Sequence, residues 1–449
     1  MNIVATERIP VAFKGEGEGV GELSWGQRAI WNGMSASGDT LTMSAVRELK
    51  PGATTDDFVS ELGFYLTYYE AMRTLFRFEE DGHLLQVVHS SGTAEIEIYD
   101  ADDRDPAELA AELDTHYATT PFDHQREWPL RCGLVRSDGV LTHAIVAIAH
   151  HLADGMGAMA MVEDRRGRDP VTGRPPRCPG IQPLAQAAQQ QSAAGRRLND
   201  AAIRYWEEQL RAIPPTMFPA AREPQAGARW PGRFWEADYS SPAMHLALRA
   251  VASKLGVSTG AVLYAAFARA LSATTGVKRV ATTVIVNNRF RPGLTNAGGP
   301  MAQLGLCTLD VEDASFPGLV LRARSRLLSA QKYAYYAPSD NDQLVERIGR
   351  ERGVTFDLRC MFNDRRNGDG PIETAPDDAE IRAAIPATTI DWREVKNLHQ
   401  RLMIHVNEHP TALTAAVQVD TAYLSRDDMD SLLRRMETTV LDAALDHPC

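Results

Sequence analysis

Two adjacent histidines have the residue type and the spacing that best suit acid–base chemistry in this chain. They lie in AHHLADG, residues 149–155, between an apolar run typical of a strand and the helix-like GMGAMAMVEDRR. His150 lies four residues before Asp154, and His151 lies three before it. Histidine titrates near neutrality, so it can accept a proton from an attacking amine or hydroxyl. A histidine at a strand end, with Gly155 at a helix start, predicts a base at the rim of a cavity.

Other kinds of site fit these residues less well. A lone histidine is most often structural, and that alternative stays open for both. A zinc centre needs at least three ligands, and the His-His-x-x-Asp spacing supplies no HExxH pair on one helical face, so no metal site is predicted. The glycine-rich GEGEGVG, residues 15–21, carries glutamates where a phosphate would lie.

Composition excludes further classes of function. The 449 residues carry a net charge of -12, which argues against broad nucleic-acid binding and against attraction to anionic membranes. The five cysteines are scattered and lack CxxC spacing, so we expect neither a disulfide framework nor a structural zinc site. The N-terminus lacks the apolar core of a signal peptide, and no apolar run reaches 18 residues. These features predict a cytoplasmic protein.

The elements around the histidines are those of a mixed α/β domain. Residues 55–78 have helical spacing followed by the strand-like LFRF, and LRCGLVR and VLTHAIVAIA indicate two strands, the second ending at the histidines. A stretch rich in Pro, Gly, Gln and Ala follows. We predict a first α/β domain over residues 1–170, a crossing linker over 171–199 and a second α/β domain over 200–449.

Several stretches, in order, resemble the condensation domains of nonribosomal peptide synthetases, which are related to chloramphenicol and carnitine acyltransferases. LSWGQRAIW at 23–31 resembles the L-S-x-x-Q-x-x-x-W motif, and YYEAMRTLFRF at 68–78 resembles R-H-E-x-L-R-T-x-F. AHHLADG resembles the active-site motif H-H-x-x-x-D-G. TTVIVNNRFRPGL at 282–294 resembles G-x-P-V-A-N-R-x-R-P-x-L, and QLGLCTLDV at 303–311 resembles G-x-F-V-N-T-L.

The resemblance distinguishes between the two histidines. Aligned on Asp154 and Gly155, the second histidine of the family motif is His150, and the first is replaced by Ala149. The resemblance therefore implies that His150 is catalytic and that the Gly155 N–H is an oxyanion donor. His151 falls on a variable position and becomes a candidate for lining the substrate channel.

Two further stretches of the family motifs supply site residues. The resemblance implies a structural ion pair between Asp154 and Arg289. Cys307 stands where the family usually has Asn, and Thr308 is retained. Both become candidates for the wall of the substrate channel.

The implied fold is a pseudo-dimer of two chloramphenicol-acetyltransferase-like α/β subdomains in a V with a central tunnel. The implied reaction forms an amide or ester between a carrier-bound acyl thioester and an amine or hydroxyl acceptor, which is free or itself carrier-bound. No bound cofactor is expected, because the phosphopantetheine arm belongs to the carrier protein. Since the resemblance fills the chain, we expect a free-standing enzyme that acts on the carrier in trans.

Two alternatives stay open at this point. An acyltransferase of the same superfamily would use acyl-CoA to modify a finished small molecule or lipid. A catalytically silent module would recruit carrier proteins or tailoring enzymes, as the departures at Ala149 and Cys307 suggest.

Overall fold

The computed structural model describes residues 3–176, 180–221, 232–312, 314–366 and 376–445. The chain divides into two compact units. The first comprises Met1–Leu198 and Asn287–Gln303, and the second comprises Asn199–Val286 and Leu304–Cys449. Cys178 and Cys449 lie outside the described residues.

The division differs from the predicted boundaries in one respect. Residues 287–303, which we predicted as part of the second domain, belong to the first unit. The physical reason is a set of buried hydrogen bonds, described below, that join this segment to a carboxylate of the first unit. Most of the predicted linker, residues 171–199, also belongs to the first unit.

The first unit contains eight strands and five complete helices within its described residues. The strands are β1 (Glu7–Lys14), β2 (Gly19–Glu22), β3 (Thr42–Glu48), β4 (Thr74–Phe78), β5 (Leu84–Val88), β6 (Ser91–Asp100), β7 (Leu130–Ser137) and β8 (Val140–Ala149). The helices are α1 (Trp25–Ser37), α2 (Thr55–Tyr68), α3 (Pro106–Thr119), α4 (Gly155–Arg166) and α5 (Pro183–Gln191). Helix α6 (Ala193–Ala212) starts here and continues into the second unit.

Strand β8, which leads to the histidines, lies inside a five-stranded sheet of order β1-β6-β7-β8-β3. Its alternate residues belong to two separate cores: Ala144 packs in the core that includes α2, and Ile145 and Ala147 pack in the core that includes α3. A strand buried on both faces needs apolar residues throughout, which explains its continuous apolar run. Ala149, at its end, pairs with Thr42 of β3.

The second unit is also mixed α/β. Its strands are β9 (Phe234–Ser241), β10 (Arg279–Val286), β11 (Gln303–Asp310), β12 (Cys360–Asp364), β13 (Thr389–Glu394), β14 (Leu402–Asn407) and β15 (Leu413–Asp420). Its helices are α7 (Pro242–Leu255), α8 (Thr259–Thr275), α9 (Phe316–Lys332), α10 (Pro338–Arg352), α11 (Asp378–Ala384) and α12 (Arg426–Ala444). The sheet has the order β11-β10-β12-β14-β15-β9-β13.

The core of the second unit lies between this sheet and its helices. Strands β10, β12 and β14 run parallel, and β14, β15, β9 and β13 alternate in direction. Helix α8 is buried along most of its length and packs closely against α12. Its apolar residues, including Tyr264, Phe267 and Leu271, belong to the largest buried cluster of the described residues.

No single helix in the described residues is both long and apolar enough to cross a bilayer, and α7 and α8 meet those criteria only as a pair bent by 109°. The cytoplasmic location stays a prediction.

Candidate active site

His150 follows the last residue of β8 and is half-buried. Its Nδ1 lies 3.0 Å from the carbonyl oxygen of Ala153. A carbonyl can only accept a hydrogen bond, so Nδ1 must carry the proton and donate it. In the neutral imidazole the lone pair then lies on Nε2. The backbone turn that follows the strand therefore fixes the tautomer in which Nε2 can act as a base.

Asp154 caps the N-terminus of α4 and is buried. Its Oδ1 accepts a hydrogen bond from the Gly157 N–H, at 2.8 Å, and lies 2.7 Å from Arg289 Nη2 in an ion pair. Its Oδ2 accepts from Arg289 Nη1 and the Met301 N–H, both at 2.8 Å, and from the Ala302 N–H at 3.1 Å. Both carboxylate oxygens are therefore engaged in holding backbone and guanidinium groups.

Arg289 completes the ion pair that the resemblance implied, and this expected contact is confirmed. Its guanidinium is buried with the Asp154 carboxylate, the side chains being 8% and 6% exposed. Arg289 Nη2 also donates to the carbonyl oxygens of Ala297 and Gly299, each at 3.0 Å. The pair thus ties residues 287–303 to the start of α4, within the first unit.

Close backbone contacts fix the same segment. A Cβ placed on Gly157 would lie 2.4 Å from the Gly298 carbonyl oxygen, and one on Gly26 would lie 2.0 Å from the Pro300 carbonyl oxygen. Helices α1 and α4 can approach the segment this closely only where they lack a side chain. The segment is therefore packed against the first unit as tightly as a core element.

Gly155 is the first residue of α4 and is exposed, and a Cβ placed there would meet no atom within 4 Å. The first N–H groups of a helix have no acceptor within the helix and carry the positive end of its dipole. Met156 and Met159 beside it are 46% and 54% exposed. This end of α4 therefore offers backbone donors next to an open, partly apolar surface.

His151 does not line a channel, which corrects the prediction made for it. It is 1% exposed and packs among aromatic rings, with centroid distances of 4.6 Å to Phe76 and to His124 and 6.1 Å to Trp31. Burial lowers the pKa of His151 well below its usual value, and the nearby rings of His124 and His150 add to this. His151 is therefore a neutral core residue, held among the rings of Phe76, His124 and Trp31.

Cys307 is likewise not a channel residue. It is fully buried on β11 within the core of the second unit, and burial raises the pKa of its thiol to about 12. Thr308 is 5% exposed, and its hydroxyl donates to Gln209 Oε1 of α6 at 2.6 Å. The replacement of the family's Asn by Cys at position 307 therefore alters a buried core position.

Two groups near the histidines were not identified from the sequence. The N–H groups of Met301 and Ala302 bind Asp154, and backbone donors leave no signature in residue types. His124 packs against His151, and burial lowers its pKa. In the sequence, His124 is marked only by its place in PFDHQ, where the family motif has Leu. No group of three or more His, Cys, Asp or Glu suited to a metal occurs in the described parts of the chain.

Comparison with known proteins identifies the family. A family model described as the condensation domain matches residues 18–448, nearly the whole chain. The chain belongs to the condensation-domain family. The resemblance that the sequence motifs indicated is thereby confirmed.

Curated relatives of this condensation domain are nonribosomal peptide synthetases. Cyclosporin synthetase simA of Tolypocladium inflatum is 28% identical over 285 residues, which cover 58% of this chain and 2% of that protein. The probable non-canonical nonribosomal peptide synthetase CymA of Salinispora arenicola is 22% identical over 437 residues, 92% of this chain and 5% of that protein. The chain therefore spans only a small part of the length of these relatives.

Solved structures share the fold. The X-domain from teicoplanin biosynthesis has a TM-score of 0.71 at 17% identity, over 95% of this chain and 96% of that one. The condensation domain that mediates chain release from the enacyloxin polyketide synthase has a TM-score of 0.67 at 20% identity, over 95% of this chain and 82% of that one. SgcC5 of Streptomyces globisporus has a TM-score of 0.67 at 18% identity, over 95% of this chain and 99% of that one. The predicted fold, two chloramphenicol-acetyltransferase-like α/β subdomains, is confirmed.

Proposed function

We propose that this condensation domain joins an acyl group, delivered as a carrier-bound thioester, to an amine or hydroxyl acceptor. The observation that carries the proposal is the state of His150: half-buried, with Nδ1 donating to the Ala153 carbonyl and Nε2 left as the basic nitrogen. Family membership supports the substrate class, since condensation domains of peptide synthetases act on carrier-tethered substrates.

The proposed reaction uses two groups of the first unit. The acceptor nitrogen or oxygen attacks the thioester carbonyl carbon while His150 Nε2 takes its proton. The Gly155 N–H donates to the oxyanion that forms, and one such donor is typically worth about 3 kcal/mol. The C–S bond then breaks, and the departing phosphopantetheine thiolate takes the proton back from the imidazolium. An amide or ester and a free thiol result.

Asp154 has no direct part in this proton transfer. In a Ser-His-Asp triad the carboxylate accepts a hydrogen bond from the Nδ1–H group of the histidine. Here the Ala153 carbonyl accepts that hydrogen bond, and both oxygens of Asp154 are bound to Arg289 and to backbone N–H groups. Asp154 and Arg289 are therefore proposed as structural residues of the site.

The experiment compares wild type with His150→Ala. Each protein is given a panel of acyl-loaded carrier proteins and acyl-CoAs with amine and alcohol acceptors, and products are measured by intact mass spectrometry. The matched control is His143→Ala, because His143 is also partly buried and lies seven residues earlier, on β8. We expect product from wild type and His143→Ala with acyl-carrier, and a large loss for His150→Ala. Equal yields from all three would refute the assignment.

The same panel separates the alternatives. Turnover with acyl-CoA but not with acyl-carrier would support an acyltransferase of small molecules or lipids. The recruitment module is favoured by one observation: the first histidine of the family motif is replaced by Ala149. That module predicts carrier binding without product from any acceptor. Action in trans stays a prediction, which the separately purified carriers test.

A further inference from the structure

A basic groove on the second unit takes no part in the reaction proposed above. It lies between α8 and α12 and encloses about 440 Å³. Its described lining residues come from these two helices alone: Arg269, Ala270 and Ala273 from α8, and Ser431, Arg434, Arg435, Thr438 and Thr439 from α12. The groove is thus a feature of one rigid pair of packed helices.

The sequence of both helices explains why a groove forms there. On α12 the lining residues are spaced by three and four positions, which places them on one helical face. The opposite face, with Leu432, Leu433 and Met436, is buried in the core. On α8 the lining residues include Ala270 and Ala273, whose short side chains leave open space beside the longer Arg269.

The groove is positively charged although the chain as a whole carries -12. Three arginines line it, and no Asp or Glu is found among its described lining residues. The nearby acids of α12 are engaged elsewhere. Asp430 accepts from Trp392 Nε1 at 3.0 Å, and Glu437 accepts from the Thr388 hydroxyl at 2.6 Å. Neither carboxylate is among the described lining residues of the groove, so the charged side chains that line it are all positive.

The arginine on α8 has unused hydrogen-bonding capacity. Arg269 Nη1 is buried, and it has no hydrogen-bond partner among the residues that the structure describes. A buried donor without an acceptor is unfavourable, because it has lost its water without gaining a partner. An anion seated beside Arg269 would compensate its charge, and a small shift of the guanidinium would satisfy the donor.

We propose that this groove binds an anion bearing phosphate groups with at least two negative charges. Guanidinium groups donate in pairs to phosphate oxygens, and hydroxyls such as those of Ser431, Thr438 and Thr439 can donate to the remaining ones. A single carboxylate would leave most of the charge of three arginines uncompensated. The proposal is independent of the function proposed for His150.

The test is titration calorimetry at low ionic strength with pyrophosphate and, separately, adenosine 3′,5′-bisphosphate. These two probes distinguish a site for free diphosphate from one for a nucleotide phosphate ester. The variant R434Q/R435Q changes two exposed arginines and leaves the core intact. The control R322Q/R326Q makes the same charge change on the exposed surface of α9. A hexaglutamate peptide serves as the competing anion.

We expect wild type and the α9 control to bind at least one phosphate probe, with affinity that falls as salt is added. The groove variant should lose at least about tenfold in affinity, as expected for removal of charge-assisted hydrogen bonds. Equal affinity of groove variant and control would overturn the proposal. So would the absence of heat with either probe, or groove-dependent binding of hexaglutamate alone.

Discussion

The replacement Asp154→Asn tests whether the buried ion pair holds residues 287–303 in place. The amide can still accept from the Gly157 N–H, so the cap of α4 survives. In that orientation its NH₂ group replaces Oδ2 and meets three donors, Arg289 Nη1 and the N–H groups of Met301 and Ala302. Donor then faces donor, and the buried guanidinium loses its counter-charge.

Removing one partner of a buried ion pair typically costs about 3–5 kcal/mol. For a unit of about 200 residues, each kcal/mol lost from the free energy of unfolding lowers the thermal midpoint by about 2–4 °C. We therefore expect the thermal midpoint of Asp154→Asn to decrease by about 6–20 °C. Circular dichroism on heating and urea denaturation measure this. The control is Asp105→Asn, which changes the exposed N-cap of α3, whose Oδ1 accepts from the Ala107 N–H. That change should cost less than about 1 kcal/mol.

A double variant sharpens the test. Replacing Asp154 by Asn and Arg289 by Gln removes both charges, so the double variant should be less destabilised than the sum of the two single variants. The reasoning would be refuted if Asp154→Asn were as stable as Asp105→Asn. It would also be refuted if the effects of the two single changes simply added.

Two further predictions concern single groups in each unit. Gly155→Ala should leave the thermal midpoint within about 2 °C, because its Cβ meets open space. Gly157→Ala should lower the free energy of unfolding by about 1–3 kcal/mol, because its Cβ would lie 2.4 Å from the Gly298 carbonyl oxygen. Equal thermal midpoints for the two variants would contradict this. In the second unit, burial and Arg365 lower the pKa of His405 to about 4. The histidine of the unfolded chain binds its proton below about pH 6.5, so the free energy of unfolding should fall by up to about 3 kcal/mol between pH 6.5 and 4. His405→Gln should remove this pH dependence in urea denaturation. An unchanged pH dependence in the variant would contradict the prediction.

The sequence predicted most accurately the elements with a strong local pattern. The helix at GMGAMAMVEDRR is α4 to the residue, and the strand ending at the histidines is β8. Each has either a regular apolar period or a continuous apolar run, which local physics suffices to interpret. The family resemblance added the pairing of Asp154 with Arg289, which no local pattern contains.

The elements that were missed have weak patterns. The edge strands β3 and β13 expose most of their side chains, so they lack the apolar alternation from which a strand is predicted. Helix α5 lies in the Gln- and Ala-rich stretch that we had predicted to be a linker. It packs against β2 through tertiary contacts that composition does not reveal. The same limitation explains His151, whose burial depends on Phe76 and His124 from distant parts of the chain.

In the proposed reaction His150 and Asp154 have separate roles, which the pH dependence of the rate can distinguish. The tautomer of His150 depends on the Ala153 carbonyl, which no side-chain substitution removes. Asp154 acts only through the position of α4 and of residues 287–303. If Asp154 served as a proton acceptor, its replacement by Asn would change the pH profile of product formation. On the present structure Asp154→Asn should instead lower the rate at every pH by a similar factor, in a variant that remains folded at the assay temperature. The shape of the pH profile thus separates a positioning carboxylate from a catalytic one.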